Sequence, residues 1–95
     1  MEFAQRIDRQ LRQTFEIERL EVNDDSAKHA GHSGAHPQGE THFRVVVVSL
    51  DFDGVGRVAR QRMVYDALKA EMGERVHALQ LSCRTPDEDA KLGVS

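Results

Sequence analysis

The sequence predicts an α+β fold in which a three-stranded mixed sheet carries helices on one face. Three observations predict it. Apolar residues recur at helical spacing in two charged segments. Segments rich in valine and leucine, typical of strands, stand between and after those two. A helix joins the second strand to the third, and such a crossover makes two strands parallel, whereas the first two strands pair antiparallel across a long loop.

The first helix is predicted over residues 2–15, because Phe3, Ile7, Leu11 and Phe15 recur every four residues in a charged background. The following segment, IERLEVND, alternates apolar with charged side chains and predicts a half-buried strand. Glycines and a proline then interrupt the chain, so we expect a loop over residues 25–40. Loops of this length are uncommon in a compact domain and are often functional.

The second half of the chain predicts two more strands and two more helices. THFRVVVVSL, residues 41–50, has the β-branched density of a central strand that is buried on both faces. RQRMVYDALKAEM predicts the second helix, with Gly73 at its C-terminal end, and RVHALQLSC predicts the third strand. The last helix begins in TPDEDAKLG, where Thr85 is the N-cap, Pro86 takes the first position and Glu88 completes a capping box.

Composition limits the classes of protein to consider. With 95 residues the chain fits a single domain, residues 1–95, and its net charge of −3 argues against a protein that holds nucleic acid through its total charge. One cysteine, Cys83, excludes an internal disulfide and indicates a reducing compartment. The N-terminus is charged and no apolar run is long enough to span a membrane, so we expect a cytoplasmic protein with no membrane contact.

Histidine is concentrated in the predicted loop and next to it. Four of the five histidines, His29, His32, His36 and His42, lie within residues 28–43. Neutral imidazole is a good ligand for zinc, iron, copper and nickel. The spacing matches no zinc motif, however, and a solvated loop that uses histidine as a polar residue explains the same pattern. A third possibility is a plain module that binds zinc or nickel adventitiously.

The fifth histidine, His77, is predicted to share one face of the third strand with Leu79, Leu81 and Cys83. It is then either a core histidine satisfied by one hydrogen bond or a ligand at the end of the strand, where it could meet an imidazole from the loop. Cys83 lies six residues further along, and we interpret it as a small apolar filler at the other end of the strand.

Three motifs in their order and spacing resemble those of the BolA family: THFRVVVVS, RQRMVYDALKAEM and VHALQL. The likeness extends from about residue 4 to residue 90. DDSAKHAGHSGAHPQGETHF is similar to the variable loop of that family, which carries a histidine or a cysteine. The resemblance implies a KH-like fold of the class II type, with the core order αββαβα, which agrees with the order predicted from the residues.

The resemblance also implies a function. It implies an adaptor, and not an enzyme, that binds a monothiol glutaredoxin and shares a [2Fe–2S] cluster with it and with glutathione, in iron–sulfur cluster trafficking or in iron or redox regulation. It makes His77 one cluster ligand and His29 the second, with His32 as the alternative. The free protein is then expected to be a monomer or a weak homodimer. Two histidines on one iron raise the reduction potential above that of an all-thiolate cluster.

A DNA-binding transcriptional regulator is the alternative function. Arg57, Arg60, Arg62 and Lys69 cluster on and around the second helix and are the predicted phosphate contacts. The turn before that helix reads GVGR, so the GxxG device by which KH domains clamp a nucleic-acid backbone is absent or altered. Acidic residues interleave with these cations, and an ordinary solvated helix face would show the same pattern.

Overall fold

The predicted order of helices and strands is confirmed by the computed structural model, which describes residues 2–25, 42–74, 76 and 78–93. The elements of the first half are α1 (Glu2–Thr14), β1 (Ile17–Asp24), β2 (His42–Ser49) and a short 3-10 helix (Leu50–Phe52). Those of the second half are α2 (Arg57–Ala67), α3 (Lys69–Glu74), β3 (Ala78–Arg84) and α4 (Pro86–Gly93).

The three strands form one mixed sheet in the order β1-β2-β3, as predicted. Strand β1 runs antiparallel to β2, with Leu20 opposite Val47, and β3 runs parallel to β2, with Val45 opposite Leu81. The parallel pairing follows from the helical crossover through α2 and α3, which returns the chain to the same end of the sheet. Consequently β1 ends where β2 and β3 begin.

The main core lies between one face of the sheet and helices α1 and α2. Alternate residues of a strand point to opposite faces, and on β2 this places Val45 and Val47 toward the helices. Helix α1 presents Phe3, Ile7 and Leu11 to the same core, which confirms its predicted apolar stripe. The other buried members of this cluster are Phe15, Phe43, Phe52, Val64, Leu68 and Val76.

The segment predicted as one second helix is divided at Leu68. Its N–H group is 3.0 Å from the carbonyl oxygen of Val64 and 3.2 Å from that of Tyr65, a tightened turn of the 3-10 kind. The side chain of Leu68 is fully buried, so this turn is fixed against the core. Gly73 lies inside α3 and not after its end, so the predicted cap at Gly73 is wrong.

Helix α4 departs from the prediction that all helices share one face. Arg19, Val48 and Arg84 lie side by side across the three strands, on the face opposite the main core. Asp89 of α4 bonds to both arginines, and Val48 between them is only 1% exposed. Helix α4 therefore covers one end of the second face. Its predicted capping box is confirmed, because Thr85 Oγ1 accepts from the N–H of Glu88 and Glu88 Oε1 accepts from the N–H of Thr85.

Candidate metal-binding rim and the basic helix

The rim is the end of the sheet at which β1 ends and β2 and β3 begin. It consists of Asp24, Asp25, His42 and Ala78. The backbone N–H of Asp25 donates to the carbonyl oxygen of His42 at 2.7 Å, which continues the β1–β2 pairing to the last described residue before the loop. His42 is opposite Ala78 in the parallel ladder. The first residues of β2 and β3 are therefore neighbours at the rim.

The predicted ligands His77, His29 and His32 lie outside the described residues. What the structure does describe is where their segments join the sheet. Residues 26–41 connect Asp25 to His42, and His77 directly precedes Ala78 in the sequence. Among the residues that the structure describes, no three histidine, cysteine, aspartate or glutamate side chains converge on a point that could hold a metal ion.

Three of the four rim residues, Asp24, Asp25 and His42, are polar and partly buried. Arg44 Nε lies 3.3 Å from Asp25 Oδ2, and Asn23 Nδ2 donates to the carbonyl oxygen of Arg44 at 3.4 Å. The side chains of Arg44 and Ala78 are exposed.

Cys83 lies opposite Val47, toward the far end of β3 from the rim. Its side chain packs against the apolar core, and burial raises the pKa of the thiol from 9.0 to about 11. A thiol with such a pKa is almost wholly protonated at neutral pH and is a poor metal ligand. The interpretation of Cys83 as a filler thus agrees with its surroundings. A [2Fe–2S] cluster held in part by this chain would need its thiolates from another molecule.

The four basic residues predicted to contact phosphate fall into two groups. Arg57, Arg62 and Lys69 are exposed, whereas Arg60 is only 7% exposed. Arg60 Nε donates to the carbonyl oxygen of Val55 at 2.7 Å, and its guanidinium lies 5.8 Å from the centre of the Phe52 ring. Two further bonds run from Nη1, to the carbonyl oxygen of Cys83 at 3.1 Å and to Glu88 Oε1 at 2.6 Å.

Arg60 therefore cannot serve as a phosphate contact without leaving four partners inside the fold, and it is removed from the predicted patch. It joins α2 to the end of β3 and to α4. The bond from Arg60 to Glu88 also lowers the pKa of Glu88 to about 2, because the guanidinium and the N–H of Thr85 both donate to its carboxylate. The sequence predicted Arg60 as a phosphate contact because residue type alone does not distinguish an arginine that bonds within the fold from one that faces solvent.

A second ionic cluster connects α4 to both edge strands. Asp89 Oδ1 accepts from Arg19 Nη2 at 2.6 Å and from Arg84 Nη1 at 2.9 Å. These bonds lower the pKa of Asp89 from 3.8 to about 2. Arg19 and Asp89 are 70 residues apart in the sequence, so no local pattern identifies the pair. This cluster and the Arg60–Glu88 pair are together called the arginine clamp below.

A third ionic contact fixes α3, the helix before His77. Arg6 of α1 donates through Nε and Nη2 to Glu71 Oε2, at 3.1 and 2.9 Å, and through Nη1 to Glu74 Oε2 at 2.6 Å. Glu71 is 2% exposed, and its Oε1 has no hydrogen-bond partner among the described residues. The carbonyl oxygen of Glu71 accepts from the N–H of Val76 at 3.2 Å. The last turn of the crossover is thus attached to α1.

Comparison with known proteins identifies the fold and its family. The family model of the BolA-like proteins matches residues 11–88, which is most of the chain. The chain belongs to the BolA family. BolA family proteins are generally regulators or adaptors without enzymatic activity.

Individual relatives agree with this assignment. The chain is 42% identical over 87 residues to the UV-induced protein uvi31 of Schizosaccharomyces pombe, and the match covers 87% of this chain and 85% of the relative. It is 43% identical over 76 residues to human BolA-like protein 1, covering 80% of this chain and 53% of that protein.

Among solved structures, the BolA domain of SufE1 from Arabidopsis thaliana superposes with a TM-score of 0.80 at 40% identity, covering 90% of this chain and 93% of that domain. The KH-like mixed sheet predicted from the resemblance is therefore the fold of this BolA-like chain. Among the helices that the structure describes, none has the length and apolarity to cross a membrane.

Proposed function

We propose that this BolA-like protein binds a monothiol glutaredoxin and co-ligates a [2Fe–2S] cluster at the rim, as an adaptor in iron–sulfur cluster trafficking or in iron or redox regulation. His77 supplies one imidazole and His29 the second, with His32 as the alternative to His29. The glutaredoxin cysteine and a bound glutathione supply the thiolates. Imidazole ligands make such a cluster more sensitive to acid than an all-thiolate one.

One observation carries the proposal. The backbone pairing brings the end of β1 and the starts of β2 and β3 to the same end of the sheet. His42 is opposite Ala78, and the N–H of Asp25 donates to the carbonyl oxygen of His42. The segment with His29 and His32 leaves and re-enters the sheet there, and His77 directly precedes Ala78. Two imidazoles nearly fifty residues apart in sequence thus come from segments joined to one rim.

Two further features of the described residues support it. The contact of Arg6 with Glu71 and the bond from Val76 to Glu71 attach Val76, two residues before the start of β3, to α1. The cysteine of this chain is at the other end of β3 with its pKa raised to about 11. A chain whose one cysteine is held as a neutral thiol suits a role in which a second protein provides the thiolates.

The test is a spectroscopic titration of a cluster-loaded monothiol glutaredoxin, in the presence of glutathione, with this chain. We expect the visible absorption and circular dichroism of the cluster to change as the heterodimer forms. His77→Ala should abolish the change and His29→Ala should weaken it. His36→Ala is the matched control, since it removes an imidazole from the same segment that is not assigned as a ligand.

Each outcome decides between the assignments. If His32→Ala weakens the spectral change and His29→Ala does not, His32 is the loop ligand. If His77→Ala leaves the spectrum unchanged, the co-ligation proposal is wrong. A loop that binds zinc or nickel alone, indifferent to His77→Ala, would favour the plain metal-binding module. DNA binding stays a prediction, in which the exposed Arg57, Arg62 and Lys69 contact phosphate and Arg60 does not.

A further inference from the structure

A cleft of about 430 Å³ lies on the opposite side of the domain from the rim, along the outer edge of β3. Helix α2 forms one wall with Arg57 and Gln61, and α4 forms the other with Lys91 and Leu92. The two walls lie on opposite faces of the sheet, because α2 packs on the main core and α4 on the second face. The floor between them is the edge strand itself, at Leu81.

The edge of β3 presents one backbone residue to this cleft. The carbonyl oxygen of Leu79 accepts from Tyr65 Oη at 3.2 Å, and that of Cys83 accepts from Arg60 Nη1 at 3.1 Å, so both point away from β2. In a strand, the N–H and C=O of one residue point to the same lateral side, and residues two apart point to the same side as each other. Leu81, midway between Leu79 and Cys83, therefore offers an N–H donor and a C=O acceptor to the cleft.

The charge of the cleft is positive where it is not already neutralised. Arg60 is bonded to Glu88, and Arg84 is bonded to Asp89. The side chains of Arg57 and Lys91 are exposed, and Arg57 lies near enough to Glu88 for its charge to help lower the pKa of that carboxyl. One such cation thus stands on each wall of the cleft. Leu92, which is 61% exposed, adds an apolar contact on the α4 wall.

We propose that this cleft binds an extended acidic segment of a partner protein, which adds to the edge of β3 by pairing its backbone with Leu81. Successive side chains of an extended strand point to opposite faces. Two consecutive acidic residues would therefore reach Arg57 on the α2 wall and Lys91 on the α4 wall. Addition of a strand to a free sheet edge is a common mode of peptide recognition. The proposal does not depend on the cluster chemistry at the rim.

The length of the bound segment is limited by the clamp and by Tyr65. The bond from Arg60 to Glu88 crosses the cleft beside Cys83, and the hydroxyl of Tyr65 donates to the carbonyl oxygen of Leu79. A segment of about three residues therefore makes the central contacts. Its affinity depends on the acidic pair and on one pair of backbone hydrogen bonds.

The experiment uses the full chain and a fluorescent six-residue peptide of sequence Ser-Val-Asp-Glu-Val-Ser, with binding followed by anisotropy and by amide chemical shifts. We expect the largest shift changes at Leu81 and its neighbours. Arg57→Gln and Lys91→Gln should each weaken binding about threefold, the size of a partly exposed ion pair. N-methylation of the peptide residue that pairs with Leu81 should weaken it about fivefold, since one hydrogen bond is lost.

Arg62→Gln is the matched control, because Arg62 is an exposed arginine of α2 that does not line the cleft. Unchanged binding by this variant supports the proposal. If Arg62→Gln weakens binding as much as Arg57→Gln, or if the N-methyl peptide binds as well as its parent, the attraction is general charge and the proposal is wrong. A short DNA duplex that displaces the peptide and binds more tightly would assign the surface to nucleic acid and would also overturn it.

Discussion

At the end of the sheet that α4 covers, the arginine side chains are bonded within the fold, whereas next to the rim the side chain of Arg44 is exposed to solvent. Arg60 has lost nearly all its contact with water and bonds to two backbone carbonyls and to Glu88. Arg44, next to the rim, is exposed, and its Nε lies 3.3 Å from Asp25 Oδ2. The same residue type thus joins elements of the fold at one end of the sheet and faces solvent near the other.

The difference shows that the number of arginines on a helix says little about binding until their partners are known. Arg60 and Arg62 are two residues apart on α2, yet one fastens three elements together and the other faces solvent. Cations of the first kind should act on stability, and groups at the rim should act on ligand binding. The following predictions separate the two ends by that criterion.

Removal of the Arg60 side chain should have the largest effect. Arg60→Ala leaves the carbonyl groups of Val55 and Cys83 without this donor, and each buried unsatisfied acceptor costs about 1–3 kcal/mol, so we expect a loss of roughly 2–4 kcal/mol in the free energy of unfolding. Urea denaturation measures it. Arg62→Ala should change stability by less than about 0.5 kcal/mol. Equal effects of the two variants would contradict a structural role for Arg60.

Acid should break the ion pairs of the arginine clamp at a lower pH than that at which histidines are protonated. The folded-state pKa values of Glu88 and Asp89 are lowered to about 2 from 4.5 and 3.8, so the stability these groups contribute is fully present above about pH 4.5 and is lost as the pH falls toward 2. Imidazole protonates near pH 6.5, so a histidine-ligated cluster should be lost well above that range.

Parallel pH titrations of the cluster absorbance and of the free energy of unfolding test this separation. Glu88→Gln and Asp89→Asn should make the decline in stability below pH 4.5 shallower and leave the pH at which the cluster is lost unchanged. If the fold and the cluster are lost together near pH 6, the two ends of the sheet are not independent.

The capping box of α4 should have a smaller effect. Thr85 Oγ1 accepts from the N–H of Glu88 at 3.2 Å, so Thr85→Ala removes one cap bond and should lower the free energy of unfolding by about 1 kcal/mol. Thr85→Ser keeps the hydroxyl and serves as the control, with most of the stability retained. Thermal unfolding of both variants distinguishes loss of the cap from loss of the methyl group.

The substitution expected to have the smallest effect on the cluster is Cys83→Ala. Because the pKa of Cys83 is raised from 9.0 to about 11, the thiolate population at neutral pH is lower by about 100-fold, and alkylation should slow by a similar factor relative to an exposed cysteine. Cys83→Ala should leave the cluster spectrum of the proposed heterodimer unchanged. A changed spectrum would require a thiolate from this chain and would contradict the ligand set at the rim.

Local patterns in the sequence predicted the elements whose signals are local. The apolar stripe of α1, the alternation of Leu20 and Val22 with charged residues, and the capping box of α4 each depend on residues within a few positions of one another, and all are present in the structure. A bulge between Ile17 and Arg19 interrupts the alternation at the start of β1. The parallel pairing of β2 with β3 was also predictable, since handed crossovers leave few topologies.

The features that the sequence did not reveal depend on contacts between distant segments. The turn at Leu68 is fixed by its burial in the core, and the position of α4 on the second face is fixed by Asp89 and its partners 70 and 5 residues away. The clamp role of Arg60 depends on Cys83 and Glu88, 23 and 28 residues further along. For the candidate site, the resemblance identified the family, while the assignments of His29 and His77 stay predictions.

The hairpin of β1 and β2 has a consequence for how proteins of this fold diversify. Its register is set by strand pairs such as Val22 with Val45, and by their side chains in the core, and not by the connection between Asp25 and His42. Because closing a longer connection adds only a slowly growing entropic cost, insertions there disturb the scaffold little. Donor atoms could thus be exchanged at this position by evolution or by an engineer while the remaining architecture is inherited unchanged.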